Sequence, residues 1–316
     1  MSVLRGPVLR IAQNGWFQAL ATRSGPGRAF ARRFVAGETL DDAMDVVREL
    51  ARAGLSAILN LLGERVRTPE QAKAAADAYI GSLRRIRAEP GLDCAVSVKP
   101  SQLGLDLSSA LCLAELERIL EEAEEAGSWV EIDMEASATV DRTLAVFREV
   151  RARHDRVGVC LQAYLRRTPA DVFALPDGSR VRLVKGAYLE PPEVALQRRR
   201  DVDRAYARLF VTLLARGHSV DVATHDPRLI EGVRRYLARH PAERARVEFQ
   251  MLYGIRRDLQ RRLASEGYPL RVYVPYGAEW YPYLTRRLAE RPANLWFFVS
   301  SLARELRPGA ERGRRA

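Results

Sequence analysis

VRLVKGAYLEPPEVALQRRRDVDRAYARLFVTLLARGHSVDVAT, residues 181–224, decides the fold. It opens on a short apolar run closed by a breaker, VRLVKGAY (181–188). Tyr206, Leu209, Phe210 and Leu213 then recur at the spacing of one helical face, and a second apolar run, VDVAT (220–224), ends the stretch. Strand, helix and strand in succession are the unit of a parallel sheet covered by helices.

The same unit repeats outward in both directions. LSAILNLLG (55–63), DCAVSVKP (93–100), WVEIDME (129–135) and VGVCLQAY (157–164) precede it, and VEFQMLYG (247–254) and RVYVPYG (271–277) follow it. Helical spacing returns between them, as at Leu113, Leu116, Leu120 and Ala123. The eight strands read as near-continuous apolar runs, which predicts an α/β fold, a TIM-type (β/α)8 barrel, with an open doubly wound sheet as the alternative. Residues 1–54 carry no strand signal. Ala43, Val46, Val47, Leu50 and Ala51 line one helix face there after Thr39 or Asp41 as cap, so 1–54 are expected to be helices packed on a barrel spanning 55–316.

Composition narrows the function. No window is apolar enough for a spanning helix or a secretory leader, which predicts a cytoplasmic protein. Three cysteines without a CxxC pair and four histidines without ligand spacing argue against a disulfide framework and against a metal site. The net charge of +11 would suit nucleic acid, but arginine is spread over the whole length and only Lys73, Lys99 and Lys185 are lysines. That is a compositional bias, so no nucleic-acid partner is expected; the basic tail RELRPGAERGRRA (304–316) is a candidate for contact with anionic lipid. There is no GxGxxG after a strand and no Walker loop, so a bound dinucleotide would not sit on the usual Rossmann turn.

In such a barrel the chemistry gathers where strands end and βα loops begin. Polar residues at those ends are Glu64, Lys99, Asp133, Glu135, Gln162 and Tyr164, then Arg182, Lys185, Tyr188, Thr224 and His225, with Tyr253 and Tyr273 last. Two of the three lysines are among them. So many charges on one rim must neutralise one another or a bound anion, because unpaired buried charges are costly. After the eighth strand, YVPYGAEWYPYLTRRLAERPAN (273–294) sets Tyr283, Arg286, Arg287 and Glu290 on one helix face. Paired guanidiniums among aromatic rings suit a carboxylate in a partly dry pocket, hence a small ligand with one acidic group and an apolar body. Lys185 is also open to another reading, a Schiff-base lysine of an aldolase-like lyase with Arg182 as neighbour.

The chain resembles the monofunctional, FAD-dependent proline dehydrogenases from about residue 40 to 299, most specifically in VRLVKGAY, LQAYLRR, EFQMLYG and YVPYG…WYPYLTRRLAE. The resemblance implies a distorted barrel with its last helix across the mouth, and oxidation of L-proline to Δ1-pyrroline-5-carboxylate. It implies FAD as cofactor, a membrane quinone as electron acceptor and transient contact of a cytoplasmic protein with the inner face of the membrane. By motif, Lys99, Arg286 and Arg287 would hold the proline carboxylate, Ala187, Leu252, Tyr273 and Tyr283 would wall in the ring, and Glu290 would orient the arginines. Glu64 would gate the site with Arg286; Asp133 and Arg182 would be catalytic. Met134 (through its backbone), Gln162, Arg182, Lys185, Gly186, Ala187, Thr224 and His225 would contact the flavin. Leu189 departs from the bifunctional relatives, which carry tryptophan after KGAY.

Overall fold

The computed structural model of the chain describes residues 31–63 and 65–290, with side chains as far as Thr285. Its strands are β1 Ser56–Leu61, β2 Cys94–Val98, β3 Val130–Ile132, β4 Val157–Gln162, β5 Arg180–Val184, β6 Ser219–Ala223, β7 Val247–Leu252 and β8 Leu270–Tyr276. All pair in parallel in chain order, and β8 returns to β1 from Ser56↔Arg271 to Leu61↔Tyr276. The sheet is therefore a closed barrel and not an open one. Each strand begins within one residue of the expected stretch but stops short of its polar end, since those ends leave the sheet to form the rim.

Helix α1, Leu40–Arg52, precedes the barrel, and α2 Pro69–Arg87, α3 Ser109–Glu125, α4 Val140–Arg151 and α5 Thr168–Phe173 follow β1 to β4 in turn. Then α6 Arg199–Ala215, α7 Pro227–Arg239, α8 Arg257–Ser265 and α9 Trp280–Glu290 follow β5 to β8. Thr39 is the cap of α1: its hydroxyl accepts the Asp42 N–H at 3.1 Å while Asp42 accepts the Thr39 N–H at 3.0 Å. The stripe Ala43, Met44, Val46, Val47 and Leu50 joins the main core, with contacts to β1 and β8. The remaining early residues, 1–30, and the basic tail 304–316 lie outside the described residues.

The strands are not uniformly apolar, contrary to the sequence expectation. Polar side chains on several of them face the lumen, among them Ser97 on β2, Glu131 on β3, Arg180 and Arg182 on β5, Asp221 on β6, Glu248 and Gln250 on β7, and Arg271 on β8. The residues between them, such as Val130, Val181, Leu183, Val220, Phe249 and Val272, are buried outward against the helices. The apolar core thus lies between sheet and helices, and side-chain ion pairs fill a lumen that is apolar in most barrels of this type.

At the N-terminal end of the lumen Arg271 donates to Glu248 at 2.9 Å and to the Ala57 carbonyl at 2.9 Å, and it reaches Asp93 at 3.0 Å. Arg180 pairs with Asp221 at 2.8 Å and Glu248 at 2.9 Å, its guanidinium 3.9 Å from the Trp129 ring centroid. At the other end, Trp280, Tyr281, Tyr283 and Leu284 of α9 cluster with Phe34, Val35, Leu62 and Ile255. Leu62 follows β1 and Ile255 follows β7, so α9 begins on the C-terminal rim. Gly254, with φ +75°, lets the segment before α1 approach the same rim, because a Cβ there would sit 1.7 Å from the Arg33 carbonyl oxygen. Among the described residues no helix is long and apolar enough to cross a membrane.

Arg271→Met removes one of the two arginines that pair with partly buried Glu248, together with the contact to Asp93, and should cost about 1–3 kcal/mol in chemical denaturation. Lys73→Ala, which breaks an exposed i,i+4 pair with Asp77, should leave the midpoint nearly unchanged. Equal effects would refute a structural role for the lumen ions.

Candidate active site

Arg182 organises the C-terminal half of the lumen. It is 4% exposed, its Nε donates to Gln250 Oε1 at 2.7 Å, and its Nη1 donates to Ser97 Oγ at 2.8 Å and Asp133 Oδ1 at 2.6 Å. Asp133 also accepts Ser97 Oγ at 2.9 Å and, on Oδ2, the Tyr273 hydroxyl at 3.0 Å. The Tyr273 ring lies 5.2 Å from the guanidinium. Burial opposes the charge on Arg182, but the carboxylates Glu131 and Asp133 outweigh it and its pKa is raised. Burial also lifts the Tyr273 phenol well above its ordinary range, with the charge on Asp133 adding to it. Tyr273 is therefore a neutral donor. The Arg182 Nη2 atom is buried with no hydrogen-bond partner among the described residues.

Around this cluster the rim residues take several kinds of place. Lys99, just after β2, donates to Asn60 Oδ1 at 2.9 Å. Met134 is buried where β3 ends, and Gln162, the last residue of β4, donates to the Glu135 carbonyl at 2.8 Å. Lys185 directly follows β5 and donates to Asp203 and, at 2.7 Å, to Asp226. Burial works against ionised Asp226, yet Lys185 and Arg199 hold its carboxyl well below the usual range. An amine committed to two carboxylates is poorly placed to attack a carbonyl, which removes the ground for the Schiff-base reading of Lys185.

Gly186 turns the chain away with φ +118°, in a place where a Cβ would meet the Tyr164 ring at 2.2 Å, and Ala187 beyond it is exposed. Thr224 is buried and its hydroxyl accepts the Asp226 N–H at 3.1 Å. His225 Nε2 accepts the Leu252 N–H at 3.0 Å, which fixes Nε2 as the unprotonated nitrogen. Leu252 ends β7, with Tyr273 paired beside it on β8, and Tyr283 is buried in the α9 cluster. Glu64 lies outside the described residues, as do the side chains of Arg286, Arg287 and Glu290, although the α9 backbone runs through their positions.

The structure thus joins Asp133, Arg182 and Tyr273 in one hydrogen-bonded group and sets Lys99, Gln162, Lys185, Thr224, His225 and Leu252 on the same rim. It adds Asn60, Ser97 and Gln250, which sequence reasoning passed over. Their period-2 spacing, Ser97 with Lys99 and Gln250 with Glu248, was the available signal. No thiol serves as a nucleophile: Cys94, Cys112 and Cys160 are buried, and burial pushes the first two up to about 12 and the third higher still. Cations with a neutral phenol suit binding and orientation of an anion rather than covalent attack.

The family described as proline dehydrogenase matches residues 43–299. Proline dehydrogenase 1 of Bacillus subtilis subsp. natto is 39% identical over 304 residues, covering 96% of this chain and 100% of that protein. Proline dehydrogenase of Deinococcus radiodurans is 42% identical over 306 residues, covering 94% of this chain and 97% of its own. Among solved structures, proline utilization A (PutA) of Bdellovibrio bacteriovorus inactivated by N-propargylglycine superposes with a TM-score of 0.77 at 25% identity, over 88% of this chain. The chain spans 34% of the length of that protein.

Below the cluster, Glu131 is fully buried and neither carboxyl oxygen has a hydrogen-bond partner among the described residues. Burial pushes its pKa up to about 8; Asp221 and Asp133 add to this, while Arg182 and Arg180 oppose it. An unfolded glutamate loses its proton near 4.5, so this group's stabilisation is complete below that pH and drains away as pH rises toward about 8. Glu131→Gln has no proton to lose. Its unfolding free energy relative to the native protein should climb with pH between 4.5 and 8 in urea titrations, and a difference that stays constant across that window would refute a buried, proton-holding Glu131.

Proposed function

Since the chain belongs to the proline dehydrogenase family and is an oxidoreductase acting on proline, we propose that it oxidises L-proline to Δ1-pyrroline-5-carboxylate with FAD as its flavin. The observation that carries this reading is the Arg182–Asp133–Tyr273 group, a fixed cation and a neutral phenol at the floor of an aromatic-covered mouth.

Two features of the chain suit a flat heterocycle with acceptor atoms. Arg182 keeps a buried donor without a partner among the described residues, and Gly186 keeps the rim backbone clear where a side chain would strike Tyr164. In this reading Gln162, Arg182, Lys185, Gly186, Ala187, Thr224, His225 and the Met134 backbone hold the flavin. When bound, it supplies a two-electron acceptor for the hydride leaving C5 of proline, whose amine must be unprotonated.

Lys99, Arg286 and Arg287 grip the carboxylate, Glu290 orients the arginine pair, and Glu64 gates the entrance with Arg286. Ala187, Leu252, Tyr273 and Tyr283 wall in the ring. Asp133 keeps Arg182 and Tyr273 in place through one carboxylate, so substrate orientation is the work of the protein. In the same reading residues 1–54 would be helices packed on a barrel of 55–316; for Leu40–Arg52 this is supported by the contacts of α1 with β1 and β8. Electrons then pass to a membrane quinone through transient contact of a cytoplasmic protein with the inner membrane face, a reading supported by the basic tail and the net charge of +11.

Purified protein should show a flavin spectrum that bleaches on anaerobic addition of L-proline. Arg286→Met and Arg287→Met should each raise the proline concentration needed for half-bleaching by roughly tenfold, as charge-assisted bonds to a carboxylate are lost. A colourless protein, or a spectrum indifferent to proline, would overturn the reading. Unchanged half-bleaching in both variants would remove the carboxylate role.

A further inference from the structure

The segment between β5 and α6 is long for a βα connection and has no regular structure of its own. Its second half is tied to the β4–α5 connection. The Leu196 N–H donates to the Tyr164 carbonyl at 2.7 Å, the Arg166 N–H to the Val194 carbonyl at 3.0 Å, and Arg166 Nε to the Pro192 carbonyl at 2.8 Å. The first half reaches past that neighbour. Glu190 accepts the Ser137 N–H on Oε1 at 2.7 Å and the Ser137 hydroxyl on Oε2 at 2.6 Å, so a carboxylate from the β5–α6 segment grips the β3–α4 connection with both oxygens.

The same device occurs one loop further round the rim, where Glu135 after β3 accepts the Ser101 N–H at 2.8 Å and the Ser101 hydroxyl at 2.6 Å after β2. Two carboxylate-to-serine clasps thus link three βα loops in series. Glu190 is also placed to matter locally. Gly186, pressed on the Tyr164 ring, fixes one end of the short span 187–189, and Glu190 fixes the other. Within that span Tyr188 is 41% and Leu189 63% exposed, so both side chains are open to a protease once the backbone loosens.

We propose that Glu190 is a positioning residue, which through its clasp on Ser137 holds the 187–189 span as a fixed wall of the proline site. The link to proline rests on the function proposed above, where Ala187 lines the substrate ring; the clasp itself does not. Loss of the clasp leaves Arg182, Asp133 and Tyr273 untouched, so the reacting groups keep their geometry while the wall loosens. The effect should therefore fall on KM and spare kcat.

The test compares native holoprotein with Glu190→Gln, Ser137→Ala and Glu190→Asp in two assays. Chymotrypsin cleavage after Tyr188 or Leu189, followed by fragment mass, reads opening of the span independently of catalysis. Steady-state proline oxidation reads the site. Glu190→Gln should be cleaved roughly tenfold faster with KM raised by a similar factor and kcat within about twofold, because a charge-assisted clasp is lost. Ser137→Ala, which keeps the backbone donor, should shift both readouts in the same direction by less, and Glu190→Asp should restore part of each. Unchanged cleavage in Glu190→Gln overturns the clasp. Faster cleavage with unchanged KM, or a fall in kcat alone, overturns its role at the site. If native protein does not oxidise proline, the function reading fails by itself, and the cleavage comparison still decides the clasp.

Discussion

A guanidinium sealed inside a barrel must be paired on nearly every side, and much of this molecule follows from how Arg182 is paired. Removing an ion of this size from water carries an effective penalty of several kcal/mol, returned only when charge and hydrogen-bond partners surround it. Asp133 provides the charge, and Ser97 and Gln250 provide further acceptors. These partners stand on or just beyond β2, β3 and β7, so a single side chain of β5 fixes the relation of strands on opposite walls. A barrel built only for stability would fill this space with branched apolar side chains, which need no such matching. In the function proposed above this ion supplies a permanent, oriented positive charge, a common reason for buried charge at functional sites.

That choice reorganises the rest of the lumen. Arg180, Arg182 and Arg271 place three guanidiniums along it, against Asp133, Asp221 and Glu248 as their direct carboxylate partners within the lumen, with exposed Asp93 meeting Arg271 at its N-terminal edge. A fourth lumen carboxylate, on Glu131, would be surplus charge, and burial raises its pKa accordingly. Trp129 closes the N-terminal end between two guanidiniums, 3.9 Å and 5.4 Å from its ring centroid. The opposite end is covered by apolar contact, with the first turns of α9 lying on the residues after β1 and β7. Apolar packing is thus displaced to the layer between sheet and helices, where the outward residues of the strands meet α1 to α8.

Much of this was legible in the sequence because it is local. Each strand start can be read from a few neighbouring residues, and the end of such a run is where a barrel places its chemistry, so Lys99, Asp133, Arg182 and Tyr273 could be named as rim residues. The scarcity of lysine pointed the same way, for Lys99 and Lys185 both stand on the rim. What stayed hidden is non-local. Gln250 is 68 residues from Arg182 and Ser97 is 85, and no spacing rule links positions on opposite barrel walls. Lys185 illustrates the cost: beside Arg182 in sequence it suggests an activated amine, but its nitrogen meets Asp203 and Asp226 from α6 and the loop after β6. Polar alternation is present in VEIDME and VEFQML, but the apolar residues on either side of it give the runs a continuous look.

The two halves of the site are held by different means, and the difference bears on how such a site can change. Asp133, Arg182 and Tyr273 are tied to one another within a closed sheet, so altering one unpairs a buried partner and disturbs the group as a whole. The rim loops are joined by pairwise clasps, Glu135 to Ser101 and Glu190 to Ser137, each removable without uncovering a lumen ion. The shape of the pocket wall can therefore vary one clasp at a time while the reacting geometry stays fixed. A barrel whose lumen ions are linked across strands and whose rim loops are tied in pairs can alter a loop without disturbing the side chains that the strands hold in place.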